Sequence, residues 1–385
     1  MKKLIIPIIF ALVGTSFVAY TFLDSFIIPK EVKNVSFSFN NSGNSMDQFA
    51  PIIKPTSSSS QSSSNSSQSN SSSNASSSSA VNIDDSNPLD PTSQYYEDKT
   101  EEQIAALFTP EKVFREREHY SDPDIYIDIS KLRDEEDTTT YYVADIRIKS
   151  MSYFRTALAK DKFGQNINER TSDICLRHQG ILAIDGDTYG SQEGGYVIRN
   201  GVSLRSAKNL NRMRGTTKKA EDLLIFPNGT FSVIDERDTS FEEVEAQKPW
   251  QVFSFGPGLI KNGEVAVNED EEVGTAMGGN RNQRCAIGII APGHYVFVVN
   301  DARMESSYGF SLYTVANIMK DLHCETAYNL DGGGSATMYL DNGTGNADKL
   351  GHLVNYPHQS TSSTWGNPRM QQREVSDIVY IGKNQ

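Results

Sequence analysis

The stretch "YVFVVNDARMESSYGFSLYTVANIMKDLHCETAYNLDGGGSATM", residues 295–338, carries the reading that decides the fold. It opens on an apolar run rich in β-branched residues, 295–301, and reaches a second at 327–330, and both read as buried strands. Between them Leu312, Val315, Ala316, Met319 and Leu322 recur at three- and four-residue spacing, the stripe of an amphipathic helix. Strand, helix and strand in succession predict a crossover unit whose two strands are parallel neighbours in one sheet.

Outward from this unit, strands dominate. Residues 124–132 and 140–148 alternate β-branched or aromatic residues with polar ones, and further strand candidates occupy 180–187, 195–204, 223–235, 251–260, 284–301 and 377–382. Several joins carry Asn-Gly or Pro-Gly, the dipeptides of tight turns. The expected fold is therefore α/β in the α+β sense: a strand-rich, mixed-sheet core with a few packed helices.

The first third has a different composition. Residues 4–23, "LIIPIIFALVGTSFVAYTFL", carry no charge and follow Lys2 and Lys3, and about 20 residues at 1.5 Å each cross a hydrocarbon core. Residues 1–3 are expected to be a cytoplasmic stub and 4–23 an uncleaved transmembrane signal-anchor. The chain is then a single-pass protein of the cell membrane with its C-terminal domain extracellular. A cleaved secretory signal is the alternative, opposed by the length of the run and the lack of a small-x-small triplet. Residues 24–104 read as a Ser/Asn-rich disordered linker, because "PTSSSSQSSSNSSQSNSSSNASSSSA" at 55–80 has too little apolar surface to offset the entropy of ordering it. The folded domain is expected over 105–385.

A formal charge of -13 and a pI near 5.0 argue against a nucleic-acid partner, which requires a field of Lys and Arg. Cys175, Cys285 and Cys324 show no CxxC spacing, so one disulfide with a free thiol and three buried thiols both stay open. The six histidines have no metal-ligand spacing, and neither a P-loop nor a dinucleotide fingerprint is present.

Chemistry concentrates in the loops that end strands. Asp331 follows the strand at 327–330, and Gly332, Gly333, Gly334 and Ser335 come next. Glycines there can take positive φ and turn amide N–H groups toward an anion, which would set an oxyanion or phosphate cradle beside a carboxylate, the alternative being a tight turn between strands. In "AIDGDTYG", residues 183–190, Asp185 and Asp187 stand two apart at a strand end and are expected to address one ligand together. That stretch also begins like a calcium loop, but Tyr189 and Tyr196 occupy positions where such a loop needs ligands. No cofactor is expected, a bound divalent cation being the alternative. Arg284 heads a strand, where its guanidinium can grip a phosphate or form a surface salt bridge, and Asp301 and Arg303 end another.

The segments "NLDGGGSATM", "RCAIGI", "VVNDAR", "SSYGFSL", "AIDGDTYG", "FSFGPGLIKNG" and "REVSDIVYI" together resemble the phosphodiester glycosidase family, over roughly residues 120–385. The resemblance implies a strand-rich α/β domain that hydrolyses the bond between a sugar anomeric carbon and a phosphodiester oxygen. It makes Asp331, Asp187 and Asp185 the candidate catalytic carboxylates. Arg284, Gly332, Gly333, Gly334, Ser335, Asp301, Arg303, Asn329 and Asn200 become candidates for holding substrate and phosphate. The implied partner is a glycan or sugar-phosphate polymer of the cell surface, reached by a membrane-tethered domain of undetermined oligomeric state. The chain departs from the family's usual residues at Asp185, Thr188 and Thr314, where Asn, an aromatic residue and Glu are usual. A non-catalytic glycan-binding or exopolysaccharide-assembly protein is the alternative that Thr314 favours.

Overall fold

The computed structural model describes residues 29–31, 99–210, 220–269, 281–345, 353–357 and 372–383. The expected membrane span at 4–23 and nearly all of the expected linker lie outside the described residues. Among the described residues no helix is long and apolar enough to cross a membrane. Two short pieces within 24–104 are described: Lys30–Glu31 pairs antiparallel with Gly164–Gln165, and helix α1, Glu101–Ala105, starts at a capping box formed by Thr100 and Gln103.

Three antiparallel sheets build the core. The largest has nine strands: β1 (Val113–Arg115), β2 (His119–Ser121), β3 (Ile125–Asp134), β4 (Thr139–Ile148), β12 (Gly258–Lys261), β13 (Glu264–Val265), β14 (Cys285–Ala291), β15 (His294–Asn300) and β16 (Thr326–Asn329). Their spatial order is β13-β12-β16-β14-β15-β4-β3-β2-β1. A four-stranded sheet contains β5 (Phe154–Leu158), β6 (Leu182–Asp185), β17 (Met338–Leu340) and β18 (Asp377–Ile381), in the order β17-β6-β18-β5. A five-stranded sheet contains β7 (Val197–Arg199), β8 (Val202–Arg205), β9 (Glu221–Ile225), β10 (Phe231–Asp235) and β11 (Gln251–Phe253), ordered β8-β7-β11-β9-β10.

The predicted strands form, and so do their turns. Asn200 and Gly201, joining β7 to β8, have φ of 50° and 77°, the positive values that a two-residue hairpin turn of this kind requires. The strand-rich α+β architecture is as expected, but the crossover is not. β15 and β16 run in the same direction without being neighbours, because β14 lies between them and pairs antiparallel with both. The cause lies in residues 292–293: Pro292-Gly293 folds β14 tightly onto β15, leaving the far edge of β14 for β16. All three strands are so largely buried that no polar face marks which edge is occupied.

Side chains from one face of the nine-stranded sheet, such as Ile127, Ala144, Ile287 and Tyr328, meet Leu182, Ile184, Val379, Leu223 and Phe253 of the other two sheets in one core. On the opposite face lies helix α4, Leu312–Asp321, with Leu312, Val315, Ala316 and Met319 buried as its periodicity predicts. Burial stabilises by about 1.5–3 kcal/mol for each of the larger of these side chains. Helix α2, Thr171–Arg177, packs Ile174 and Cys175 behind the four-stranded sheet. Helix α3, Phe241–Ala246, packs Phe241 and Val244 behind the five-stranded one. The layers therefore run helix, sheet, paired sheets, helices, and the seam between the sheets opens where β6, β15 and β16 end. All three cysteines are buried free thiols, which decides between the two alternatives left by the sequence.

Candidate active site

Asp185 ends β6 and Asp331 follows β16, so the two carboxyl groups come from different sheets facing across the same core. They are tied through backbone: the Asp331 N–H donates to the Gly186 carbonyl at 3.1 Å, and the Gly186 N–H to the Asp377 carbonyl at 3.0 Å. Gly186 has no room for a side chain, since a Cβ would stand 2.4 Å from Asp377 Oδ1. The sequence signal "DGD" is thus a close approach of three strands' ends.

Asp185 is fully buried, and its Oδ1 accepts the Thr337 N–H at 3.1 Å. Burial, and then repulsion from Asp331, push its carboxyl well above the usual range and favour the protonated acid. The Cys285 thiol beside it is likewise pushed up by burial and by Asp185, so it stays unionised. Asp331 is partly exposed and its Oδ1 accepts its neighbour's Gly332 N–H at 2.8 Å. Burial raises this carboxyl as well, against the Ser335 hydroxyl and the Gly332 amide, which favour its ionised form. Four other buried polar atoms around the pair, Asp185 Oδ2, Gln283 Oε1, Asn329 Oδ1 and Thr337 Oγ1, have no hydrogen-bond partner among the described residues. Interiors satisfy nearly all such atoms, so these four make the pair a candidate place for a polar ligand.

The glycines do less for anions than the sequence predicts. Gly333 takes the positive φ expected, 60°, and the chain turns there. Most amides of the expected cradle point inward instead. The Gly332 N–H is held by Asp331, the Gly333 N–H donates to the Gln283 carbonyl at 2.9 Å, and the Ser335 N–H to the Gly332 carbonyl at 3.2 Å. Only Gly334, of these four residues, has an amide without a partner among the described residues. The positive charge comes from side chains. A Cβ on Gly333 would lie 3.4 Å from the Arg303 guanidinium, and the Gly334 carbonyl accepts the main-chain N–H of the exposed Arg373 at 3.1 Å. Burial lowers the pKa of Arg303, and the neighbouring Arg373 lowers it further, while Arg373 also favours the ionised form of Asp331. Two mutually repelling guanidinium groups beside a carboxylate suit an anion that accepts from both.

Arg373 carries no local sequence signal, since it reads as a solvated arginine; only its main-chain bond to Gly334 and its charge near Asp331 bring it to the candidate site. Arg284, which was expected to hold phosphate, is buried instead, with Nε donating to the Phe310 carbonyl at 3.2 Å. Strand alternation explains this, since Cys285 faces Asp185 and its neighbour must face the helix side. Asp187 does not join Asp185 on one ligand. β6 ends at Asp185, and beyond the Gly186 turn Asp187 accepts the Tyr189 and Ser254 N–H groups at 3.0 and 2.9 Å and pairs with Arg199 at 3.0 Å. Arg199 Nε also meets Asp377 at 2.7 Å, completing a buried acid–base–acid triad.

Asn329 is in place beside Asp331, its Nδ2 donating to the Gly256 carbonyl at 2.9 Å. Asn200 is elsewhere in its bonding: its side-chain amide joins Thr156 of β5 to Gln251 of β11. Asp301 is buried next to the site, accepting the Tyr356 N–H at 2.7 Å and the Tyr142 hydroxyl at 3.2 Å. Thr314 lies at the third position of α4, its N–H held by the N-cap Ser311 at 2.9 Å and its hydroxyl by Asp137 at 3.0 Å. A glutamate at that position would close a capping box, so its replacement by Thr alters a helix end. Among the described residues no group of three or more His, Cys, Asp and Glu side chains is arranged to hold a metal ion.

The chain is thus a strand-rich α+β domain with paired carboxyl groups at the ends of two sheets and arginines close by. The chain belongs to the phosphodiester glycosidase family, whose sequence model matches residues 178–382. It is similar to the N-acetylglucosamine-1-phosphodiester alpha-N-acetylglucosaminidase of Bos taurus, 31% identical over 152 residues, covering 36% of this chain and 26% of that protein. It is also similar to the SPbeta prophage-derived uncharacterized protein YomE of Bacillus subtilis strain 168, 26% identical over 177 residues, covering 45% of this chain and 26% of that one. The chain thus spans about a quarter of the length of these relatives. Among solved structures, the catalytic domain of the zebrafish N-acetylglucosamine-1-phosphodiester alpha-N-acetylglucosaminidase, auto-inhibited by its pro-peptide, matches with a TM-score of 0.49 and 21% identity. That match covers 68% of this chain and 83% of the other.

Proposed function

We propose that this chain is a hydrolase that cleaves the sugar C1–oxygen bond of a glycosyl phosphodiester in a cell-surface polymer. The single observation that supports this most is the pairing of a partly exposed Asp331 with a buried, proton-retaining Asp185 beneath Arg303 and Arg373. Arg303, Arg373 and the Gly334 amide bind the phosphate oxygens and the charge that develops on them. Asp331 removes a proton from water as the water oxygen bonds to C1, and the C1–oxygen electron pair departs with the phosphate. The leaving phosphomonoester has a second pKa of about 6, so it departs with little protonation. Asp185, by staying neutral, leaves Asp331 as the one negative charge facing the oxocarbenium-like carbon. Asp187 supports the site through Arg199.

Residues 4–23 anchor the chain in the cell membrane as a single uncleaved span, and the Ser/Asn-rich segment carries the domain outward to the polymer. Incubating the protein with a sugar-1-phosphodiester should release reducing sugar and phosphomonoester in equal amounts. Asp331→Asn should lower the rate by about 10²–10⁴-fold with the fold retained. Undiminished release by that variant, or none by the wild type, overturns the reading. Protease added to intact cells should remove the domain if it lies outside.

A further inference from the structure

The nine-stranded sheet holds a cavity of about 430 Å³, walled by Arg115, Arg117, Lys131, Tyr142, Val354 and Tyr356. Three of its groups are cationic in a chain of formal charge -13, so the local balance runs against the whole. Glu118 and Asp128 also reach the wall, but the cations are loosely matched: Arg115 meets Asp128, and Arg117 meets Glu116, only at 3.9 Å. The Tyr356 side chain is 51% exposed, a large apolar ring held open to solvent rather than packed.

The floor connects this cavity to the reaction centre. Asp301 fixes the Tyr356 backbone and the Tyr142 hydroxyl, and the charge of Lys131 reaches Asp301 as that of Arg117 reaches Tyr142. Two residues further along, Arg303 lies over Gly333. Two residues of backbone span at most about 7 Å. The main chain that carries Asp301 under the cavity therefore carries Arg303 within one short span of backbone. Its cations come from β1, β3 and the turn between β1 and β2, all before residue 178, where the family match begins.

We infer that this cavity is a second subsite, which binds the neighbouring sugar-phosphate unit of a substrate carrying repeated phosphodiesters. Arg115, Arg117 and Lys131 hold its phosphate, and the exposed face of Tyr356 packs on its sugar ring. The substrate class is then a poly(glycosyl phosphate) rather than an isolated glycosyl phosphodiester. This deepens the hydrolase reading and rests on it for the identity of the bond cleaved, though not for the binding itself.

The test compares two synthetic probes on the full chain: a sugar-1-phosphodiester with one phosphate, and a two-unit oligomer that adds a second sugar phosphodiester. Calorimetric Kd and kcat/KM are measured for both, with wild type, Lys131→Gln and the double variant Arg117→Gln/Lys131→Gln. The wild type should prefer the two-unit probe by about tenfold, as expected for one additional charge-assisted contact set. That preference should shrink as salt is raised, and should fall partway in Lys131→Gln and close to one in the double variant. A wild type with no preference, a preference that survives the double variant, or equal losses on both probes would overturn the subsite. Inorganic triphosphate is the control for a plain anion patch: binding as tight as that of the two-unit probe would overturn the sugar-phosphate assignment. Absence of turnover with an intact binding preference would sink the hydrolase reading and leave the subsite standing.

Discussion

Replacing Asp301 by Asn removes one ionisable group from the interior, and its effect on stability depends on pH in a direction the structure dictates. Asp301 is 2% exposed, and burial pushes its carboxyl from the ordinary 3.8 up to about 7, although the Tyr356 N–H and Tyr142 hydroxyl favour ionisation. Below about pH 4 the group is protonated folded and unfolded alike and costs nothing. From there to about pH 7 the unfolded chain gives up the proton while the folded chain keeps it, so stability falls as pH rises. A gap of about three pH units at 1.36 kcal/mol each makes the full loss about 4 kcal/mol. Asn cannot ionise, and its amide fits the same partners: Oδ1 accepts from Tyr356, and Nδ2 donates to a rotated Tyr142 hydroxyl. Urea denaturation of both proteins between about pH 4 and 8, followed by fluorescence of the buried Trp250, should show the variant gaining on the wild type by up to that amount as pH rises. A stability difference that stays flat across this range would refute the buried, proton-retaining Asp301.

Arg199→Met strands two carboxylates in the interior and should destabilise the fold by about 3–5 kcal/mol in the same denaturation assay; a loss below about 1 kcal/mol would mean that Asp187 and Asp377 are stable without their cation. Arg373→Ala should raise KM about tenfold for a glycosyl phosphodiester, with a smaller change in kcat, and an unaltered KM would remove Arg373 from the phosphate site. Thr314→Ala should lose about 1 kcal/mol of stability with kcat/KM within about twofold of wild type, because its hydroxyl serves the start of α4; a collapse of turnover would place this position at the reaction centre.

The strands and the long helix were legible because their signals are local. Alternation marked β3 and β4, and the stripe Leu312, Val315, Ala316 and Met319 marked α4. Helices α1, α2 and α3 have five to seven residues, too few for a period of 3.6 to declare itself. Sheet order was hidden for a different reason: β14 and β15 are apolar on both faces, so the sequence could not say that β14 separates β15 from β16. At the site, Asp331 and Asp185 were legible as acids at strand ends. Asp187 looked identical to them and differs only in what surrounds it, Arg199 and two amides that a linear reading does not bring near. Arg284 was legible as an arginine at a strand head, but its burial and its bond to Phe310 follow from strand facing, which residue type does not declare.

The glycine run gains a sharper meaning from these contacts. With the Gly332 and Gly333 amides engaged by Asp331 and Gln283, the loop brings its main chain close to the Arg303 guanidinium and to the backbone of Arg373. Burial, and then repulsion from Arg373, lower the pKa of Arg303, so an anion placed between the two would favour both charges. The same logic runs behind the site, where Arg199 relieves two carboxylates permanently. The Arg199 cluster is closed by the fold and holds the turn after β6 to the start of β18. An ion cluster closed in this way fixes the turn that follows Asp185, and so fixes where the carboxyl group facing Asp331 stands.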